Sequence, residues 1–104
     1  MAQNKALSLL SIAARGRNLV SGEYAVENAV KTGTAFLVIL AEDVSANTKK
    51  MFTNMCEFYE VPLFQTGTKE TLGHVIGKEF RASLAVTDEG LAKAIVKKLE
   101  THEE

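Results

Sequence analysis

The chain has 104 residues, 46% hydrophobic and 24% charged, with a net charge of −1, which sets an expectation of one globular domain and speaks against a disordered or fibrous chain. Its longest unbroken apolar run, residues 35–41, falls far short of the ~20 that cross a bilayer, and no basic-then-apolar leader opens it. Cys56 is the only cysteine and the pI is near 6.1, so a cytoplasmic protein is expected, without disulfide, metal, cofactor or membrane partner, in which any nucleic-acid role rests on local charge.

Residues 3–14 set Ala6, Leu7, Leu10, Ala13 and Ala14 at three-and-four spacing, which predicts an amphipathic helix stopped by Gly16. A short extended piece, 18–20, leads to Ser21, read as the N-cap of a second helix over 22–32 with Val26, Ala29 and Val30 on one face. Gly33 ends that helix. Residues 35–41 are apolar without alternation, as a central strand covered on both faces requires. Residues 45–59 read as a helix whose buried stripe is Met51, Met55 and Phe58, with Phe52 a further candidate, and Val61-Pro62 closes it. Residues 63–65 form a short strand, and Thr68 caps a helix over 69–76. Within and after that helix, Gly73 suggests close backbone approach and Gly77 a stop. Residues 83–87 give the last strand, and Asp88 caps a final helix with Leu91, Ile95 and Leu99 inward. A helix followed by four strand–helix units predicts an α/β protein, a three-layer α/β/α sandwich on a four-stranded mixed sheet. Ligands meet such sheets beyond the strand ends, here near Ser21, Glu42, Thr68 and the segment before Ser83.

The chemistry-bearing residues are few. The glycines match neither a P-loop nor a dinucleotide fingerprint. Cys56, beside Met55 and Phe58, reads as an inert core thiol. His74 has no ligand at helical spacing, and His102 lies in an acidic tail. Glu42-Asp43 at a strand's end suits Mg²⁺ or phosphoryl transfer, but the last strand ends in Thr87-Asp88 rather than the lysine of a receiver-type domain. A solvated loop entering a capped helix is the plainer reading. No catalytic residue is assigned, and the chain is not read as an enzyme.

Two basic clusters remain: Arg15 and Arg17 around Gly16, and Lys69, Lys78 and Arg81 with Phe80 between the last two. Cations beside an exposed ring suit RNA, although residue type alone favours a core Phe80.

The runs Leu-Val-Ile-Leu-Ala-Glu-Asp-Val at 37–44, Gly-Thr-Lys-Glu-Thr-Leu-Gly at 67–73 and Gly-Lys-Glu-Phe-Arg at 77–81, with 56–62 between them, resemble the ribosomal-protein family of L-seven-Ae and L-thirty-e, which binds kink-turn RNA. The segments 19–23 and 86–90 are similar to those of the family's small bacterial paralogues. The resemblance implies an α/β/α sandwich and a non-enzymatic RNA-binding protein. In the family, the helix after the first short strand opens with a basic residue, Gly, any residue, Asn and Glu, and the polar pair reads sheared G·A pairs. Here the run is Ser21-Gly22-Glu23-Tyr24-Ala25: the glycine is kept, Tyr24 replaces Asn, Ala25 replaces Glu, and Glu23 adds a negative charge.

By the same resemblance, Lys69 contacts phosphate, and the loop of Lys78, Phe80 and Arg81 covers a flipped-out base with Phe80 as the stacking ring. The implied site is Arg17, Ser21, Gly22, Tyr24, Lys69, Lys78, Phe80 and Arg81. In it Tyr24 stacks or donates its hydroxyl, and Lys69 and Arg81 neutralise phosphate. The expected partner is structured RNA, a kink-turn or internal loop, with ribosomal RNA and the ribosome as hosts, and the expected state is a monomer. The alternative is a ribosome-associated protein-interaction module with Tyr24 and Phe80 as partner contacts. Charge placement supports RNA: Glu100, Glu103 and Glu104 offset Lys93, Lys97 and Lys98, while Arg15, Arg17, Lys69, Lys78 and Arg81 are expected near the site's loops.

Overall fold

The computed structural model describes residues 5–100; positions 3 and 4 of the predicted first helix, His102, Glu103 and Glu104 lie outside them. The elements run α1 (Lys5–Arg15), β1 (Leu19–Ser21), α2 (Glu23–Lys31), β2 (Leu37–Leu40), α3 (Ala46–Tyr59), β3 (Leu63–Gln65), α4 (Lys69–Val75), β4 (Ser83–Val86) and α5 (Glu89–Glu100). The sheet order is β1-β4-β2-β3, with β2 and β3 parallel and the other two pairings antiparallel. This is the predicted four-stranded mixed sheet, with β4 beside β2 at its centre.

Both central strands are buried at every position, which explains their unbroken apolar sequence. Alternation along β2 sends Leu37, Ile39 and Ala41 into one core with Ala6, Leu10, Leu72, Ala92 and Ile95, under α1, α4 and α5. Val38 and Leu40 enter the other core with Val26, Ala29, Val30, Phe52 and Cys56, under α2 and α3. Three layers follow directly from the two faces of one strand.

Local caps agree with the sequence. Ser45 and Thr68 accept the amides of Thr48 and Thr71 at 3.1 Å, and Asp88 accepts the amide of Leu91 at 2.9 Å, so each satisfies a first-turn donor. Ser21 is different. It is the last residue of β1, opposite Leu84, and Gly22 is the N-cap at φ 95°, ψ 152° with no side-chain cap bond. The predicted serine cap is therefore corrected: pairing to β4 carries the strand one residue further, and the turn into α2 needs a positive φ that glycine adopts without strain.

The stripe of α3 also differs from expectation. Phe52 and Cys56, one turn apart, are the buried pair, whereas Phe58 is 78% exposed. Two residues beyond Cys56 the helix has turned by about 200°, so Phe58 faces away from the sheet and meets the Tyr59 ring edge-on at 4.9 Å. Met51 and Met55 are half-buried at the flank.

Two helices end on left-handed residues that are not glycine, Arg17 at φ 62° and Glu60 at φ 59°. After α1, the amides of Arg17 and Asn18 donate to Ala14 and Ala13 carbonyls at 3.2 and 2.8 Å; after α3, those of Glu60 and Val61 donate to Glu57 and Cys56 at 3.3 and 2.9 Å. Both are Schellman closures. The first ends α1 at Arg15, one residue beyond the predicted 3–14, and places the left-handed residue one position after Gly16.

Candidate nucleic-acid interface

Strand direction decides which loops meet. Leu40 lies opposite Ser83 and beside Gln65, and Ser21 lies opposite Leu84, so the ends of β1, β2 and β3 and the start of β4 share one edge. Backbone bonds lace the emerging loops together. The amide of Gly22 donates to the Ser83 carbonyl at 3.1 Å, Ala41 to Ala82 at 2.8 Å, Glu42 to Gly67 at 2.7 Å, and Arg81 to Lys69 at 3.0 Å. The four positions singled out from the sequence thus stand at one edge.

Side chains tighten this frame. Asp43 Oδ1 accepts the amide of Lys69 at 2.9 Å, so its carboxylate serves the start of α4 and complements the dipole there. Arg81 Nε donates to Ser21 Oγ at 3.0 Å, and its Nη1 donates to the Phe80 carbonyl at 2.7 Å. Gln65 Nε2 donates to the Ala41 carbonyl at 3.1 Å. Gly73 is buried under the loop from α4 to β4, where a Cβ would meet backbone atoms of Glu79 and Phe80, and its carbonyl accepts the Lys78 amide at 2.7 Å. The close approach expected of this glycine is the contact that seats the Phe80 loop.

On this frame two aromatic rings face outward, Tyr24 at 83% and Phe80 at 61% exposure. Phe80 borders a shallow groove of about 380 Å³ with Glu70, His74, Lys78 and Glu79. Nothing lies within 4 Å of where a Gly22 Cβ would point, which leaves the start of α2 open to an approaching backbone. Ion pairs Lys31–Glu27 and Lys93–Glu89 lie on α2's last turns and on α5, away from Lys69 and Lys78. Beneath the edge, the buried Ser83 hydroxyl has no hydrogen-bond partner among the described residues.

Seven of the eight sequence-derived site residues are thus brought together. Arg17 is not. It precedes the other end of β1, where Leu19 pairs with Val86 and the Asn18 carbonyl accepts the Thr87 amide at 2.9 Å, so the length of the strand separates it from Ser21. Arg15 borders Ser11 and the end of α4 at Val75–Gly77. Sequence reasoning missed Asp43 as a positioning carboxylate: it precedes Lys69 by 26 residues, and only the pairing of β2 with β3 brings them together.

Residues 4–96 match the description "Ribosomal protein L7Ae/L30e/S12e/Gadd45 family". The chain belongs to this family. Among its relatives, "RNA-binding protein YlxQ" of Bacillus subtilis is 42% identical over 92 residues, 88% of this chain and 92% of that one. "RNA-binding protein YlxQ" of Enterococcus faecium is 33% identical over 91 residues, 88% and 87% of the two chains. A solved structure described as a protein with unknown function from Bacillus halodurans superposes with a TM-score of 0.91 at 38% identity, covering 94% of this chain and 99% of that one. The "Giardia lamblia 15.5kD RNA binding protein" superposes at 0.78 with 24% identity over 96% and 92%, a likeness of fold. The L7Ae-type resemblance and the mixed-sheet sandwich expected from the sequence both stand.

Proposed function

We propose that this L7Ae-family protein is a non-enzymatic RNA-binding protein that recognises a kink-turn or internal-loop RNA by shape. The observation that carries the reading is Phe80, an aromatic ring exposed between Lys78 and Arg81 on a loop fixed by Gly73, Lys69 and Ser21. A base stacked on such a ring contributes about 1–3 kcal/mol. Gly22 and the uncapped first turn of α2 face the bent backbone, where helix amides suit an anion, and Lys69 and Lys78 neutralise phosphate. Tyr24 supplies a second ring or a hydroxyl in place of the family's asparagine. Two relatives named as RNA-binding proteins at 42% and 33% identity support the same reading. The protein acts as a cytoplasmic monomer, with ribosomal RNA the first partner to try.

The test is a gel-shift titration with a kink-turn duplex and a straight duplex of matched length at two salt concentrations. Preferential binding of the kinked duplex is expected, because a net charge of −1 gives little non-specific attraction. Equal affinity for the two, or no binding at micromolar protein in low salt, overturns the proposal.

A further inference from the structure

We infer that Arg81 is a positioning residue, a tie that holds the Phe80 loop against the start of α2 so that the two halves of the interface engage RNA as one unit. This rests on the RNA-binding reading above. The family resemblance gives Arg81 to phosphate, but two of its five guanidinium N–H donors, the Nε donor among them, are engaged inside the protein. The side chain is half-buried, its Nε donates to Ser21 Oγ at 3.0 Å, and its Nη1 donates to the Phe80 carbonyl at 2.7 Å. Its own amide donates to the Lys69 carbonyl at 3.0 Å. Ser21 directly precedes Gly22, whose amide is bound to the Ser83 carbonyl. One residue therefore joins the end of β1, the stacking loop and the start of α4.

The planar guanidinium can satisfy two acceptors at a fixed angle, which an ammonium on a flexible stem does not reproduce. Bonds donated by an ionised group are the stronger kind. Fixing the loop before RNA arrives removes ordering that would otherwise oppose binding. The serine missing from its predicted capping role has this one instead.

The test uses the full chain, a kink-turn RNA and a series of salt concentrations, with Arg81→Lys, Ser21→Ala and the double variant. Arg81→Lys keeps the charge and Ser21→Ala alters none. A tie predicts that each single change weakens binding about tenfold, that the double variant is no weaker than either, and that the salt slope stays that of the parent. Arg81→Lys within twofold of the parent, a silent Ser21→Ala, or penalties that multiply would overturn it.

A measurement without RNA separates this inference from the reading beneath it. In both single variants the Gly22 and Arg81 amides should exchange hydrogen at least about fivefold faster, with α5 unchanged. Unchanged exchange overturns the tie outright. Faster exchange in a protein that binds no RNA overturns the RNA reading, and with it the purpose assigned to the tie.

Discussion

Gly73 packs so tightly against the Glu79 carbonyl that a β-carbon at position 73 would collide with it and would stand 2.8 Å from the Phe80 amide nitrogen. Both neighbours are backbone, so neither can swing aside. Gly73→Ala should destabilise the fold by about 1–3 kcal/mol, read as a lower urea midpoint at unchanged slope. It should also shift the amide resonances of Lys78 and Phe80 more than those of α2.

Phe80 and Lys69 should separate stacking from charge. Phe80 is exposed, so Phe80→Ala should leave stability within about 0.5 kcal/mol while weakening RNA about tenfold or more at an unchanged salt slope. Lys69→Ala should chiefly lower that slope by about one. Affinity measured across three salt concentrations decides both, and no change in either variant would remove these residues from the site.

These contrasts show which parts of the molecule were legible in the sequence. Thr68 and Asp88 were read correctly as caps because a cap is local, its acceptor three residues from its donor. Phe58 was misread because apolar residues at 51, 55 and 58 and at 52 and 56 both satisfy helical spacing, and periodicity does not say which stripe meets the sheet. Arg17 is near Ser21 in number but lies at the other end of β1. Asp43 and Lys69, and Ser21 and Arg81, are far apart in number and adjacent in space, which only strand pairing determines. The family motifs pointed to the right edge of the sheet without giving the bonds that hold it.

Arg17 gives a stability test. A side chain in the left-handed region costs roughly 1 kcal/mol, and the C′ position of this closure favours glycine. Arg17→Gly should therefore raise unfolding free energy by about 1 kcal/mol in urea titration. Because the residue stands beyond the far end of β1, RNA affinity and its salt slope should stay unchanged.

The corrected stripe of α3 predicts opposite outcomes for two phenylalanines. Phe52 is fully buried, and Phe52→Ala should cost about 3–5 kcal/mol. Phe58→Ala loses an exposed edge contact to Tyr59 and should stay within about 1 kcal/mol. Denaturation midpoints of the two variants, compared at one pH, check the assignment.

Burial pushes the Cys56 thiol from 9.0 up to about 11. The unfolded chain then loses this proton first, so the thiol's contribution to stability is complete below pH 9 and declines between pH 9 and 11. Unfolding at pH 8 and pH 10 should show that decline, and Cys56→Ala should flatten it. At pH 8 a disulfide reagent should label the native protein far more slowly than the unfolded one.

The strand order carries a temporal meaning as well as a spatial one. β1 pairs only with β4, the last strand to be synthesised, although it is the first to leave the ribosome. A nascent chain can pair β2 with β3, but β1 must wait until residue 86 is available. The edge bearing Gly22 and Phe80 is therefore completed only once β4 has emerged, and a fragment that ends before Ser83 lacks the pairing that seats Gly22 beside the Phe80 loop.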